Sequence, residues 1–273
     1  MGLLIGCDPE LFLKKNGTLI SAHGVIKGTK KHPFPVNLGA VQVDGMAVEF
    51  NTRPASNVNE FTHTISEVLR QLRGMLPNDI ETIPDIIVEF DLTYLENQPP
   101  EAKRLGCSPD FDAYKGCQNP LPKEHPSMRT ASGHLHIGWT EGQEPLDDDH
   151  FASCCSLIRQ LDYYLGVPSI IVDNSHKRRE MYGKAGSFRP KSYGVEYRVL
   201  SSFWVNSVKY QRNIYNYTVK AFNSLLDGFD AHKEFGSTRL NAERIINEND
   251  VTNAICVIKE LNLDIQNEKE RLF

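Results

Sequence analysis

Four short segments of this 273-residue chain place acidic, imidazole or guanidinium side chains at alternate positions, with apolar residues between them. Side chains on a strand point to opposite faces in turn, so residues two apart share a side. Asp8 and Glu10 form such a pair at the end of the first apolar segment. Glu49 shares a face with Ala47 and Asn51, while Val48 and Phe50 point the other way. His134 and His136 lie opposite Leu135, Ile137 and Trp139; Glu196 and Arg198 lie opposite Val195, Tyr197 and Val199. Strands of this kind bury one greasy face against helices and gather their polar groups on the other face of one sheet.

The surrounding signals fit that plan. Gly2–Cys7, Glu10–Lys14, Thr18–Ala22, Ala40–Val43 and Met46–Asn51 read as strands, with Asn16-Gly17 and Asp44-Gly45 as hairpin turns. Asn57 and Glu60 form a capping box, and Phe61, Ile65, Val68, Leu69 and Leu72 follow at helical spacing up to about Leu76. Asp85–Asp91 and Gly133–Trp139 are further strands, separated by an irregular, Pro- and Gly-rich stretch at 97–131. Asp147, Asp148 and Asp149 open a helix that stops at Gly166 and Pro168, and Ser169–Val172 and Gly194–Leu200 read as strands. From Val205 onward the pattern is helical. Strands that come in hairpins, without regular strand–helix alternation, predict an α+β fold: a twisted, mainly antiparallel sheet with a polar active-site face, backed by helices.

On such a face Asp8, Glu10, Glu49, His134 and Glu196 would repel one another strongly without cations. Oxygen-dominated ligation with a histidine favours magnesium or manganese over zinc. The six cysteines show no CxxC pair, which argues against a zinc ribbon, and Cys154 and Cys155 fall on a helix as small buried thiols. They suit a reducing, cytoplasmic setting. A second signal is charge. Lys177, Arg178, Arg179, Lys184, Arg189, Lys191 and Arg198 oppose only Glu180 and Glu196 in a chain whose net charge is −5. Guanidinium forks match phosphate oxygens, and the glycines of Tyr182–Arg189 let backbone approach a ligand. A merely solvated basic loop is the bland alternative; it loses ground because the segment leads straight into Glu196 and Arg198. Negative overall charge and the absence of a strongly basic helix leave nucleic acid little support, and no apolar run is long enough for a membrane span.

The motifs Gly6–Phe12, Val41–Asn51, Gly106–Tyr114, Ser132–Gly138 and Tyr193–Arg198 together resemble the phage-type carboxylate–amine ligases (type 2). That family is a divergent branch of the glutamine synthetase and γ-glutamylcysteine ligase superfamily. The resemblance runs in order over roughly residues 2–204 and owes nothing to the last seventy. It implies a catalytic domain over 1–204 like that of glutamine synthetases, with 205–273 a helical segment packed on it. It implies an ATP-dependent enzyme that joins a small-molecule or peptide carboxylate to an amine through an acyl phosphate. Asp8 and Glu10 are similar to the Glu-x-Glu strand that holds two metals, with Asp8 shorter than the usual Glu. Glu49 matches a middle acidic ligand, Asp44 is the candidate for a second, and His134 and Glu196 match later metal ligands. Arg198 and Arg189 are the implied catalytic contacts to phosphoryl oxygens, joined by Lys184 and Arg179 at the nucleotide. Analogy extends to a homo-oligomer. Two rival readings stand beside this one: a metal-dependent hydrolase of an amide or phosphate ester, and an inactive phage structural or binding protein that keeps the fold.

Overall fold

One long strand organises the backbone. The computed structural model describes residues 2–103, 110–120, 125–173 and 175–263. β1 (Leu4–Lys15) runs through both of the separate segments expected at Gly2–Cys7 and Glu10–Lys14. Pro9 does not break it, because the ladder resumes at once with Glu10 N–H on the Ser132 carbonyl at 2.8 Å. Asn16 (φ 50°) and Gly17 (φ 80°) occupy the left-handed region that a two-residue hairpin demands, and turn the chain into β2 (Thr18–Ile20). β3 (Phe34–Val36), β4 (Gly39–Asp44) and β5 (Ala47–Thr52) form an antiparallel meander.

α1 (Val58–Met75) starts where expected. The Asn57 side chain accepts the Glu60 N–H at 2.9 Å, while the Glu60 carboxylate reaches back to Ser56 N–H at 2.8 Å, one residue earlier than a strict capping box. β6 (Ile80–Ile83) and β7 (Ile87–Glu89) follow, then the short helices α2 (Leu92–Glu96) and α3 (Pro100–Lys103). Next come β8 (Phe111–Asp112), β9 (Cys117–Gln118), β10 (Met128–Thr130) and β11 (Gly133–Gly138). Part of the Gly106–Tyr114 motif, with Cys107, lies outside the described residues.

α4 (Asp148–Leu161) is capped by Asp147 and continues through a π turn at Asp162–Gly166 into α5 (Val167–Ser169). Here the strand expected at Ser169–Val172 is corrected. Ile170, Ile171 and Val172 close turns onto the carbonyls of Val167, Pro168 and Ser169. A run of only three apolar residues cannot be told from a buried helix end by its pattern, and Pro168 is accommodated in the short α5. α6 (His176–Met181), β12 (Ser187–Lys191) and β13 (Gly194–Tyr197) complete the sheet; a 3₁₀ turn (Ser202–Trp204) leads to α7 (Val208–Leu226), α8 (Ala231–Phe235), α9 (Ala242–Glu248) and α10 (Val251–Glu260).

Strands neighbour one another in the order β3-β4-β5-β1-β11-β13-β12-β8-β9, and β2 and β6 pair with the far half of β1. All named pairs are antiparallel. The greasy face carries Ile5, Cys7, Leu11, Val48, Phe50, Leu135, Ile137, Val195 and Tyr197, all essentially inaccessible. They pack in one apolar cluster with Phe61, Ile65 and Val68 of α1, Cys154, Ile158 and Leu161 of α4, and residues of α7, α9 and α10. Burial of each large aliphatic side chain there is worth about 1.5–3 kcal/mol. A smaller cluster on the opposite face gathers Phe12, Met46, Ala47, Ile83, Val88, Phe90 and Leu95. It covers the end of β1 beyond Glu10 and leaves the face from Glu10 toward Glu196 to polar groups.

Candidate active site

Strand register decides which polar side chains meet. Glu10 lies opposite Glu49, and Glu49 opposite Gln42 of β4; Asp8 lies opposite His134; His136 lies opposite Glu196, which in turn faces Arg189 of β12. The five acidic and imidazole residues expected to gather do so, but as two groups. Asp8, His134 and Glu196 bring one ligand atom each to within 4.8 Å of one another, and Glu10, Asp44 and Glu49 do the same on the neighbouring strands.

In the first group the Nδ1 of His134 faces Asp8 Oδ1 and Glu196 Oε1, each at 3.6 Å, which is beyond hydrogen-bond reach. Asp8 Oδ1 is buried and has no hydrogen-bond partner. Its other oxygen lies 3.1 Å from His136 Nε2, and His136 Nδ1 contacts the Tyr193 hydroxyl at 2.5 Å. Burial alone would raise Asp8, but the His136 ring outweighs it and holds its carboxyl well below the usual range. Burial and the nearby Arg198 push His134 down, which favours its neutral ring. Glu196 is the hub of three cations: Arg198 Nη1, Arg189 Nη1 at 3.3 Å and Lys191 Nζ at 2.7 Å. Arg198 Nε also reaches Asp110 at 3.3 Å, the first described residue of the expected Gly106–Tyr114 motif.

The second group is balanced differently. Ser132 N–H donates to Glu10 Oε2 at 2.9 Å, Gln42 donates to Glu49 at 2.8 Å, and Lys30 Nζ lies 2.6 Å from Asp44. Burial, then the Asp44 charge, pushes Glu10 up to about 8. Burial and the charges of Asp8, Asp44 and Glu10 raise Glu49 well above the carboxylate range. A bound divalent cation would relieve both effects.

Of the residues expected at the nucleotide, Arg189 and Arg198 stand beside the acids. Arg179 does not, and that assignment is corrected. Its guanidinium is buried behind the sheet, donating to the Asp173 carbonyl at 2.7 Å and lying 3.6 Å from the Asp173 carboxylate. Burial pushes it down to about 10 despite that partner. Arg178 is equally buried on Asp173, at 3.1 Å. A run of basic residues on a six-residue helix must face several ways, so Arg178 and Arg179 serve the core instead. Lys184 is exposed on the glycine turn, and among the described residues no ion pair or hydrogen bond joins its ammonium to the acids. Sequence reasoning missed Lys30, and it gave Lys191 and Tyr182 no place in the site although both fell within its basic segment. Only the spacing of Lys191, two residues after Arg189 on one strand, could have shown that it shares the polar face.

Fold and site together define an α+β protein whose antiparallel sheet presents two groups of acidic and imidazole side chains, each close enough to hold a cation, beside an arginine–lysine cluster. Residues 131–219 match the model of the family described as Phage phiEco32-like COOH.NH2 ligase-type 2. The resemblance carried by the motifs is therefore shown over that stretch, which is similar to carboxylate–amine ligases and holds His134, Arg189, Glu196 and Arg198. It extends into α7, further than the motifs implied, while Asp8, Glu10 and Glu49 lie before it. No curated protein matches the chain. Among the described residues no helix is long and apolar enough to cross a membrane.

Proposed function

We propose that this chain is an ATP-dependent ligase that joins a carboxylate to an amine through an acyl phosphate. One observation carries the reading: Glu196 stands at once in an acid–imidazole group and at the centre of Arg189, Lys191 and Arg198. Oxygen-rich cation ligands thus adjoin a cradle for phosphoryl oxygens, the pairing that phosphoryl transfer requires. The residues fit magnesium or manganese, since the donors are carboxylate oxygens with one imidazole and Asp8 Oδ1 is buried without a hydrogen-bond partner. Asp8, His134 and Glu196 would hold one ion, and Glu10, Asp44 and Glu49 a second. Bound there, such ions supply positive charge to phosphate oxygens and to the attacking carboxylate.

The chain's own part is positioning and charge stabilisation. Arg189, Lys191 and Arg198 bind phosphoryl oxygens as the terminal phosphate passes from ATP to a carboxylate oxygen and ADP leaves. They hold the same oxygens when the amine attacks the acyl carbon, phosphate departs and the new amide nitrogen loses its proton. The apolar cluster around Phe12 and Phe90 shields one end of the face from water, which would otherwise hydrolyse the acyl phosphate. The substrates are a small-molecule or peptide carboxylate and an amine.

The test is ADP release with magnesium or manganese against a pool of amino acids and peptides, with new amide mass read in parallel. Release that needs both a carboxylate and an amine, and that Glu10→Gln or Glu196→Gln abolishes, is the expected result. Turnover without ATP would establish the hydrolase instead. ATP consumption retained in both variants would defeat the assignment.

A further inference from the structure

Tyr182 belongs to neither the acids nor the phosphate-binding cations, yet it touches both. Its hydroxyl lies 3.0 Å from His134 Nε2 and receives an N–H from Arg198 Nη2, whose guanidinium also lies over the ring, 5.3 Å from its centre. Its place is fixed from behind. Tyr182 follows the last residue of α6, and its N–H donates to the Arg178 carbonyl at 2.7 Å. The fully buried Arg178 returns contacts to the Tyr182 carbonyl at 3.5 Å, the Val199 carbonyl at 2.6 Å and Asp173 at 3.1 Å. Gly183 lets the chain turn there: its φ is +76°, and a Cβ would lie 2.3 Å from Arg178 Nη1 and 2.9 Å from the Val199 carbonyl.

The consequence concerns the two nitrogens of His134. Nδ1 faces Asp8 and Glu196 across gaps too long for hydrogen bonds. A ring nitrogen ligates a cation only through its lone pair, so the proton must sit on Nε2. The Tyr182 oxygen has two lone pairs; Arg198 takes one, and the other is placed for an Nε2–H. We propose that Tyr182 is a positioning residue that holds His134 in its Nε2–H form, with Nδ1 turned to Asp8 and Glu196, and keeps Arg198 over Glu196. This rests on the cation-binding reading of Asp8, His134 and Glu196. It also explains why Arg178 and Asp173 are buried in the core: they hold the residue that orients the site.

Tyr182→Phe retains the ring and removes the oxygen. Two measurements on the whole chain without nucleotide test it: Mn²⁺ binding by calorimetry, and long-range ¹H–¹⁵N correlation of the histidine rings in the metal-free protein. Wild type is expected to show His134 as the Nε2–H tautomer. The variant is expected to show mixed tautomers and an Mn²⁺ Kd raised about tenfold, as for other partners of ligating histidines, with its melting temperature kept. A wild-type Nδ1–H tautomer, or a variant with unchanged tautomer and Kd, overturns the proposal. His134→Ala separates the two ideas: if it binds Mn²⁺ as tightly as wild type, the cation site itself is wrong, while the tautomer measurement still decides what Tyr182 does.

Discussion

Asp8, His134 and Glu196 sit among cations, whereas Glu10, Asp44 and Glu49 share one lysine between three carboxylates among the described residues. Glu196 has Arg189, Lys191 and Arg198 around it, and Asp8 has His136. The result is opposite chemistry on adjacent strands. Asp8 is held ionised, while Glu10 and Glu49 are driven toward their neutral forms. The first group is balanced by the protein's own charges. The second is balanced by protons, and a cation entering there must displace them.

The largest effect that could break this contrast is on stability. Glu196→Gln keeps the shape but removes the charge, leaving Arg198, whose side chain is only 3% exposed, with the more exposed Asp110 as its remaining carboxylate. Breaking a buried pair in this way costs about 3–5 kcal/mol, to be read from urea unfolding. Glu49→Gln, by contrast, puts a neutral amide where a carboxyl is already driven toward its neutral form, and should leave stability unchanged or raised. If the two glutamines destabilise equally, the groups do not differ as described.

The next effect is on pH. Glu10, ordinarily near 4.5, sits at about 8 in the fold, so between these values the native state keeps a proton that the unfolded chain releases. Its contribution to stability is complete below about 4.5, declines as pH rises toward 8 and changes no further above that. Asp8 has the opposite sign: its depressed value makes its contribution complete above the ordinary 3.8, and acid removes it as pH falls through the folded value. Unfolding free energies with a chelator present should therefore fall between pH 5 and 8, less steeply in Glu10→Gln and least when Glu49→Gln is combined with it. A slope unchanged in Glu10→Gln would move that proton elsewhere.

The sheet face was legible because alternation is a property of neighbours in sequence. Val48 and Phe50 against Glu49, or Leu135 and Ile137 against His134, announce their sides whatever lies beyond. The division of the acids into two groups was not legible, because it depends on which strand lies beside β1 and in what register. Asp8 meets His134 only because β11 pairs with residues 4–9, and Glu10 meets Glu49 only because β5 pairs further along. The basic segment misled for a related reason. Arg178 and Arg179 look like Arg189 in sequence, but a buried Asp173 claims both, and nothing local announces a buried carboxylate. Lys30 was missed because it lies in a loop, where no periodicity assigns a side.

Lys30 also offers the finest test of the contrast. Its ammonium is 2.6 Å from Asp44 but 47% exposed, so the ion pair itself is worth less than about 1 kcal/mol. Partial burial would lower the lysine, yet Asp44, Glu49 and Glu10 outweigh it and raise it, which places its charge within the field of the whole group. Lys30→Gln should therefore leave the melting temperature almost unchanged while removing the fixed cation that, among the described residues, competes with a divalent ion there. Losing a repulsion of about 0.5–1 kcal/mol tightens binding by about two- to fivefold. In a calorimetric titration with Mn²⁺ only the event that Glu49→Gln also weakens should tighten; the event lost in His134→Ala should not move. If both events shift together, the two groups act as a single site, and the local balance of charge seen around each of them does not govern how this face takes up cations.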